Sequence, residues 1–126
     1  MKVLIVDDFA TMRKIVRNVL RQINIENVIE AENGKHALGM LDKEAFDLII
    51  SDWIMPEMTG IDFLKACKED EEKKKIPFIM VTAEAQKESV LEAIKAGVDN
   101  YIVKPFTPDK LREVIGKTMV KFGRQM

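Results

Sequence analysis

The segment Phe46-Asp47-Leu48-Ile49-Ile50-Ser51-Asp52, residues 46–52, decides the fold of this 126-residue chain. Its centre is an apolar run, which is typical of a strand buried on both faces of a parallel sheet. Similar runs lie on both sides of it along the chain. The sequence therefore predicts five strands, over Val3 to Val6, Val28 to Ala31, Phe46 to Ser51, Phe78 to Val81 and Tyr101 to Val103.

The segments between these strands show the spacing of amphipathic helices. The first has an apolar stripe, which consists of Met12, Ile15, Val16, Val19, Leu20 and Ile23. Helix-end signals include an N-cap at Thr59, a start at Pro108 and a C-terminal glycine at Gly97. Strands that alternate with helices form βαβ units. We therefore expect an α/β fold: a flavodoxin-like, doubly wound, five-stranded parallel sheet of order 2-1-3-4-5 with five helices.

The bulk composition favours one globular domain. Apolar residues make up 47% and charged residues 33% of the chain, and no linker or repeat divides it, so we expect a single domain over residues 1–126 with no attached effector domain. The net charge of -1 argues against nucleic-acid binding. The first apolar stretch is too short for a signal peptide or membrane span. With one cysteine, Cys67, the chain is expected in the reducing cytoplasm.

Polar residues follow four of the predicted strands. These are Asp7-Asp8 after the first, Asp52 after the third, Thr82 after the fourth and Lys104 after the fifth. The second strand ends at Ala31-Glu32, but in the expected topology it lies at the sheet edge, away from the ligand crevice. A single acid after a strand is often only a turn or helix-cap residue. Carboxylates, a hydroxyl and an ammonium group on one rim are chemically complementary, and they favour a functional site.

Three carboxylates on one rim require a counter-charge. Two unit charges about 4 Å apart repel by about 4 kcal/mol at an effective dielectric constant near 20. A bound cation relieves this repulsion, and oxygen-only ligation is the pattern of Mg²⁺. Thr82 and Lys104 are then suited to donate hydrogen bonds to phosphoryl oxygens.

Four segments of the chain resemble those of a known protein family. The segments VDDFATMRKIVRNVL (6–20), ISDWIMPEMTG (50–60), TAEA (82–85) and GVDNYIVKPFTP (97–108) are similar to those of the response-regulator receiver domain, and more narrowly to CheY-type chemotaxis regulators. The resemblance covers essentially the whole chain.

The resemblance implies a role for each matching residue. Asp52 is the implied phosphoacceptor; Asp8 and Asp52 bind Mg²⁺ (or Mn²⁺) directly, Asp7 does so through water, and the backbone carbonyl of Ile54 completes the protein ligands. Thr82 and Lys104 bind the phosphoryl oxygens, Tyr101 is the switch aromatic, and Pro105 follows a cis peptide bond.

One position departs from the family pattern. The best-known members have Asn two residues after the phosphoacceptor, whereas this chain has Ile54. The carbonyl ligand survives this change, but an apolar side chain there is expected to slow hydrolysis of the acyl phosphate. Glu84, two residues after Thr82, is the other position expected to tune dephosphorylation.

The resemblance also implies partners. The chain is expected to be a monomeric signalling protein that catalyses its own phosphorylation and dephosphorylation, and not otherwise an enzyme. A histidine kinase of the CheA type phosphorylates it, and the face formed by helix 4, strand 5 and helix 5 then binds a flagellar motor switch protein of the FliM type. The alternative is a single-domain phosphorelay intermediate that passes phosphate to a histidine phosphotransfer protein. No nucleic-acid or membrane partner is expected.

Two other classes of protein share parts of this pattern. A flavodoxin needs a Ser/Thr- and Gly-rich phosphate loop after strand one, where this chain has DDFATM (7–12). A haloacid-dehalogenase-like phosphatase places its nucleophile in a DxD pattern after strand one, where this chain has adjacent acids. The basic residues of helix one are interpreted as a solvated face or, as the alternative, a docking face for an acidic partner; they are Arg13, Lys14, Arg17 and Arg21.

Overall fold

The computed structural model describes residues 1–53, 55, 58–83 and 87–124, with the backbone alone for residues 87–89. The strands are β1 (Val3–Val6), β2 (Val28–Ala31), β3 (Leu48–Asp52), β4 (Phe78–Thr82) and β5 (Asn100–Val103). The helices are α1 (Ala10–Gln22), α2 (Gly34–Lys43), α3 (Gly60–Glu69), α4 (Lys87–Lys95) and α5 (Pro108–Lys121), with a short 3-10 helix at Lys73–Lys75.

All five strands pair in parallel, in the order β2-β1-β3-β4-β5. This confirms the predicted flavodoxin-like fold and strand order. The sheet is covered on both faces, because alternate residues of β1, β3 and β4 belong to two separate cores. One core joins the sheet to α1 and α5, and the other joins it to α2, α3 and α4. The central strands β1 and β3 are therefore buried on both sides, as their apolar runs require.

The limits of three strands differ from the prediction by one or two residues. β3 begins at Leu48 rather than at Phe46, and it includes Asp52. β4 likewise includes Thr82, and β5 begins at Asn100. The register aligns Asp52 with Val81 and Thr82 with Val103. The rigid ladder thus extends to both polar residues, so their positions are set by the sheet rather than by the following loops.

The helix-end signals are confirmed. The Thr59 side chain accepts a hydrogen bond from the backbone N–H of Asp62 at 3.1 Å and caps α3. Gly97 follows α4 with φ +94°, a conformation that favours glycine. One expectation for α1 is wrong: Ile15 is not in the core but 45% exposed. Its side chain lines a surface groove with Pro105 and Phe106, while the neighbouring Val16 is buried.

None of the helices in the described part of the chain is long and apolar enough to cross a membrane.

Candidate functional site

The site lies at the carboxyl edge of the sheet, where β1, β3, β4 and β5 end. Because parallel strands end on the same edge, residues that are far apart in sequence meet there. The structure brings together Asp7 and Asp8 after β1, Asp52 at the end of β3 and Lys104 after β5. Thr82, at the end of β4, is joined to the same region because its backbone carbonyl accepts a 2.7 Å hydrogen bond from the N–H of Lys104.

Three carboxylates form an acidic cluster. One oxygen from each of Asp7, Asp8 and Asp52 lies within 4.8 Å of the other two. Asp7 is buried, Asp8 is exposed, and the Asp52 side chain is 13% exposed. Hard carboxylate oxygens with one open side suit a divalent cation that retains water ligands. The residues present therefore fit Mg²⁺ or Mn²⁺.

The surroundings of Asp7 disfavour the charged form of its carboxyl group. Burial raises the pKa of the Asp7 carboxyl above its ordinary value, and the nearby Asp52 and Asp8 raise it further. The backbone N–H of Phe9, which donates to Asp7 Oδ1 at 2.9 Å, and the ammonium of Lys104 act in the opposite direction. A buried acid in this position favours a bound positive charge.

Lys104 provides part of that charge. Its Nζ donates to Oδ1 of Asp52 at 3.1 Å, and the two side chains are 22% and 13% exposed. The peptide bond between Lys104 and Pro105 is cis, the form that the resemblance implied. Among the described residues, the Lys104 ammonium is paired with Asp52 in a cluster of three carboxylates, so the charge of this group stays negative without a metal ion.

A small apolar cavity lies between the site and the β4–β5 surface. It is lined by Trp53, Met80, Thr82, Val90, Ala93 and Tyr101. Its volume is about 10 Å³, which is room for roughly one water molecule. Thr82 is buried and Tyr101 is 37% exposed, so the cavity separates a residue of the site from a surface aromatic.

The loop after β3 is closed tightly by Gly60. The N–H of Gly60 donates to the carbonyl oxygen of Trp53 at 2.9 Å. A Cβ atom at position 60 would lie 2.4 Å from the carbonyl oxygen of Asp52 and 2.8 Å from that of Trp53. This closeness requires glycine. The sequence analysis did not identify Gly60 as a site residue, although it ends the segment ISDWIMPEMTG.

Helix α1 also provides a contact to the site that the sequence analysis did not predict. Nη1 of Arg13 donates to the backbone carbonyl of Asp7 at 2.6 Å, and Nε donates to Oε1 of Glu30 at 3.0 Å. The interpretation of the basic residues of α1 as a solvated face is therefore wrong for Arg13, which is 16% exposed. No periodicity signal distinguishes this arginine from Lys14 and Arg21, which are exposed.

Two residues named from sequence, Ile54 and Glu84, lie outside the described residues. Their expected roles in metal binding and dephosphorylation stay predictions.

The comparison with known sequences identifies relatives over nearly the whole chain. Residues 3–116 match the family model of the response regulator receiver domain. The chain is 54% identical over 117 residues to chemotaxis protein CheY-3 of Vibrio cholerae serotype O1, which covers 93% of this chain and 90% of that protein. It is 52% identical over 117 residues to chemotaxis protein CheY of Pseudomonas aeruginosa, with 93% and 94% covered.

Solved structures agree with this assignment. The chemotaxis response regulator CheY4 of Vibrio cholerae superposes with a TM-score of 0.85 at 38% identity, over 93% of this chain and 97% of that one. The receiver domain of the sensor histidine kinase PA1611 from Pseudomonas aeruginosa PAO1 has the same fold, with a TM-score of 0.83 at 22% identity over 97% of both chains; that protein holds a magnesium ion in its active-site cleft. The resemblance predicted from the sequence is confirmed, and the chain belongs to the response regulator receiver domain family.

Proposed function

We propose that this protein is a phosphoacceptor switch of two-component signalling, in which Asp52 accepts a phosphoryl group from a histidine kinase. One observation carries the proposal: the Asp52 carboxylate lies 3.1 Å from the ammonium of Lys104 and within 4.8 Å of the Asp7 and Asp8 carboxylates. This arrangement offers a nucleophilic oxygen, a cation to stabilise phosphoryl oxygens and a set of metal ligands on one open edge.

The metal would be held by carboxylates. Asp8 and Asp52 are the proposed direct ligands of Mg²⁺ (or Mn²⁺), with Asp7 acting through water and the Ile54 carbonyl completing the set. When bound, the ion would neutralise negative charge on an incoming phosphoryl group. The acidic cluster supports this assignment, because without a cation it would repel such a group.

The residues of the chain itself perform the transfer. An oxygen of the ionised Asp52 carboxylate forms a bond to phosphorus while the bond from phosphorus to the donor histidine nitrogen breaks. The electron pair of the broken bond stays on the imidazole. Lys104 then donates to one phosphoryl oxygen, and the Thr82 hydroxyl donates to another. In dephosphorylation, the oxygen of a water molecule forms a bond to phosphorus while the bond from phosphorus to the Asp52 oxygen breaks. Inorganic phosphate leaves with the protons of the water, and the Asp52 carboxylate is regenerated.

The hydrogen bonds that form on phosphorylation are strong enough to drive a conformational switch. Shifting a two-state equilibrium from 1% to 99% requires about 5.5 kcal/mol. A hydrogen bond to a charged group is worth about 1.5–3 kcal/mol, so two bonds from Thr82 and Lys104 supply roughly the required amount.

The small cavity lined by Thr82 and Tyr101 supports a switch that links the movements of these two residues. Its volume of about 10 Å³ is far too small for a tyrosine ring. Movement of Thr82 toward the phosphoryl group would enlarge it on one side and allow Tyr101 to rotate inward. The surface formed by α4, β5 and α5 would then change where a partner binds.

Chemotaxis is the favoured setting. The curated relatives at 52–54% identity are chemotaxis proteins named CheY, which supports a kinase of the CheA type and a motor switch protein of the FliM type as partners. The chain would then act in the cytoplasm as a monomer. A phosphorelay intermediate stays the alternative, and reversible transfer from Asp52 to a histidine phosphotransfer protein would demonstrate it.

The lifetime of the phosphorylated state is proposed to depend on Ile54 and Glu84. An apolar side chain two residues after the phosphoacceptor offers no hydrogen bond to an attacking water molecule. Replacing Ile54 by asparagine should change the dephosphorylation rate, measured by loss of phosphoprotein after removal of the donor. An unchanged rate would remove this part of the proposal.

Incubation with acetyl phosphate tests the function directly. With Mg²⁺, the wild-type protein should gain the mass of one phosphoryl group, whereas Asp52→Asn should not. Chelation of the metal should abolish the gain in the wild type. Equal phosphorylation of wild type and Asp52→Asn, or none in either, would contradict the proposal.

A further inference from the structure

The edge strand β2 is connected to the acidic cluster through two consecutive residues. The backbone carbonyl of Ala31 accepts a hydrogen bond from the N–H of Asp7 at 3.1 Å. The side chain of Glu30 accepts from Nε of Arg13, whose Nη1 donates to the carbonyl of Asp7. The expectation that this strand lies away from the site holds for its position in the sheet, but not for its contacts.

All three polar groups of Asp7 are fixed by these contacts. Its N–H binds Ala31, its side chain accepts from the N–H of Phe9, and its carbonyl accepts from Arg13. The carbonyl of Asp7 lies in the same rigid plane as the N–H and Cα of Asp8. A group that fixes this carbonyl therefore also fixes the N–Cα bond of Asp8, and with it the position from which the Asp8 side chain starts.

Arg13 is suited to this role because its guanidinium is planar. Its donors leave the group in fixed directions, so the Glu30 carboxylate at Nε determines where Nη1 points. Glu30 is itself held on its second oxygen, because Nε of Arg17 donates to Oε2 at 2.8 Å. Nη2 of Arg17 binds the backbone carbonyl of Val28 at 3.1 Å, so Arg17 shares Glu30 but is not hydrogen-bonded to Asp7.

We infer that Arg13, oriented by Glu30, is a positioning residue that sets the Asp7-Asp8 turn for metal binding. The inference rests on the proposed function, since it concerns the affinity of the proposed Mg²⁺ site. Residues that orient metal ligands without touching the metal typically change metal affinity by about 10- to 100-fold when replaced.

Charge and geometry predict opposite signs for the key substitution. Arg13 carries a positive charge near a site that binds a cation, so its electrostatic effect alone opposes metal binding. Removing that charge in Arg13→Gln should tighten Mg²⁺ binding if only charge matters. If Arg13 positions the turn, the same substitution should weaken Mg²⁺ binding by about 10-fold or more.

Arg17→Gln is the matched control. It removes one positive charge from the same helix, together with the bonds to Oε2 of Glu30 and to the carbonyl of Val28, but no bond to Asp7. Mg²⁺ affinity can be measured by titration calorimetry, or by the fluorescence of Trp53, which adjoins Asp52 and is the only tryptophan in the sequence. We expect the dissociation constant to rise in Arg13→Gln and to stay close to that of the wild type in Arg17→Gln.

Arg13→Lys provides the second test and covers the case in which Arg13→Gln does not fold. Lysine keeps the charge but lacks the planar fork, so it cannot reproduce both bonds in their fixed directions. Its Mg²⁺ affinity should also fall. Wild-type affinity in Arg13→Lys, or equal affinities in Arg13→Gln and Arg17→Gln, would overturn the inference.

The wild type separates failure of this inference from failure of the proposed function. A wild-type protein that binds no Mg²⁺ and takes no phosphate from acetyl phosphate overturns both. A wild type that does both, with Arg13 variants that bind Mg²⁺ as it does, overturns the positioning role alone.

Discussion

Replacing Gly60 by alanine should damage both stability and phosphorylation, because the added methyl group would meet backbone atoms. The new Cβ would lie 2.4 Å from the carbonyl oxygen of Asp52, 2.8 Å from that of Trp53 and 2.9 Å from Trp53 Cα. Relieving the closest contact to 3.0 Å requires a shift of at least 0.6 Å, and reaching 3.4 Å requires 1.0 Å. Since neither neighbour is a flexible side chain, the helix α3 or the end of β3 must move.

The expected size of both effects follows from that shift. Forcing extra atoms into a packed region costs about 1–3 kcal/mol of unfolding free energy. A misplacement of about 1 Å at a reacting group can cost about 100-fold in rate. We therefore expect Gly60→Ala to unfold at lower urea concentration and to react with acetyl phosphate at least several-fold more slowly than the wild type.

Gly39→Ala is the control for this experiment. A Cβ atom there meets nothing within 4 Å, and Gly39 lies inside helix α2. Alanine should leave the phosphorylation rate unchanged and increase the unfolding free energy by about 0.5–1 kcal/mol. Wild-type stability together with a wild-type phosphorylation rate in Gly60→Ala would refute the reasoning from close approach.

Three further predictions concern single side chains. Thr82→Ala should still be phosphorylated, but its phosphate-dependent binding of the proposed partner, a FliM-type motor peptide, should weaken roughly 10- to 100-fold, the equivalent of one hydrogen bond to a charged group. An undiminished response in a binding titration would contradict the switch route. Asp7→Asn, in Mg²⁺-free buffer, should have a higher unfolding free energy than the wild type at neutral pH. The pKa of Asp7 is raised in the fold, so this difference in unfolding free energy should shrink as the pH falls through that pKa and the wild-type carboxyl becomes neutral. Urea titrations at several pH values measure the difference. A difference that stays constant with pH would contradict a destabilising carboxylate. Burial raises the pKa of the Cys67 thiol to about 12, so a thiol reagent at pH 8 should react slowly with the native protein and rapidly in urea; equal rates would contradict the buried, protonated thiol.

The fold could be predicted closely because its signals are local. Apolar runs and helical periodicity identified five strands and five helices, and the preference for right-handed crossovers left few possible topologies. The errors are confined to element ends and to Ile15, whose helical spacing matches that of its buried neighbours. Periodicity places a residue near an apolar stripe, but whether another element covers it depends on packing.

The candidate site was predicted in part for the same reason. Each of the residues Asp7, Asp8, Asp52 and Lys104 lies at or just after the carboxyl end of a strand. Because parallel strands end at the same edge of the sheet, these positions alone predict that the four side chains lie near one another. The family assignment followed from the same positions, and the sequence comparisons confirm it. The roles of these residues in chemistry stay proposals until they are measured.

The sequence by itself thus determined the sheet, its strand order and the chemical types along its functional edge, because these depend on local pattern and on general rules of chain connection. Only the tertiary structure decided that Gly60 must lack a side chain and that Arg13 binds Glu30 and the carbonyl of Asp7 rather than solvent. Both facts depend on distances between elements that are separate in sequence. Such distances are fixed by packing, and no pattern within a single helix or loop contains them.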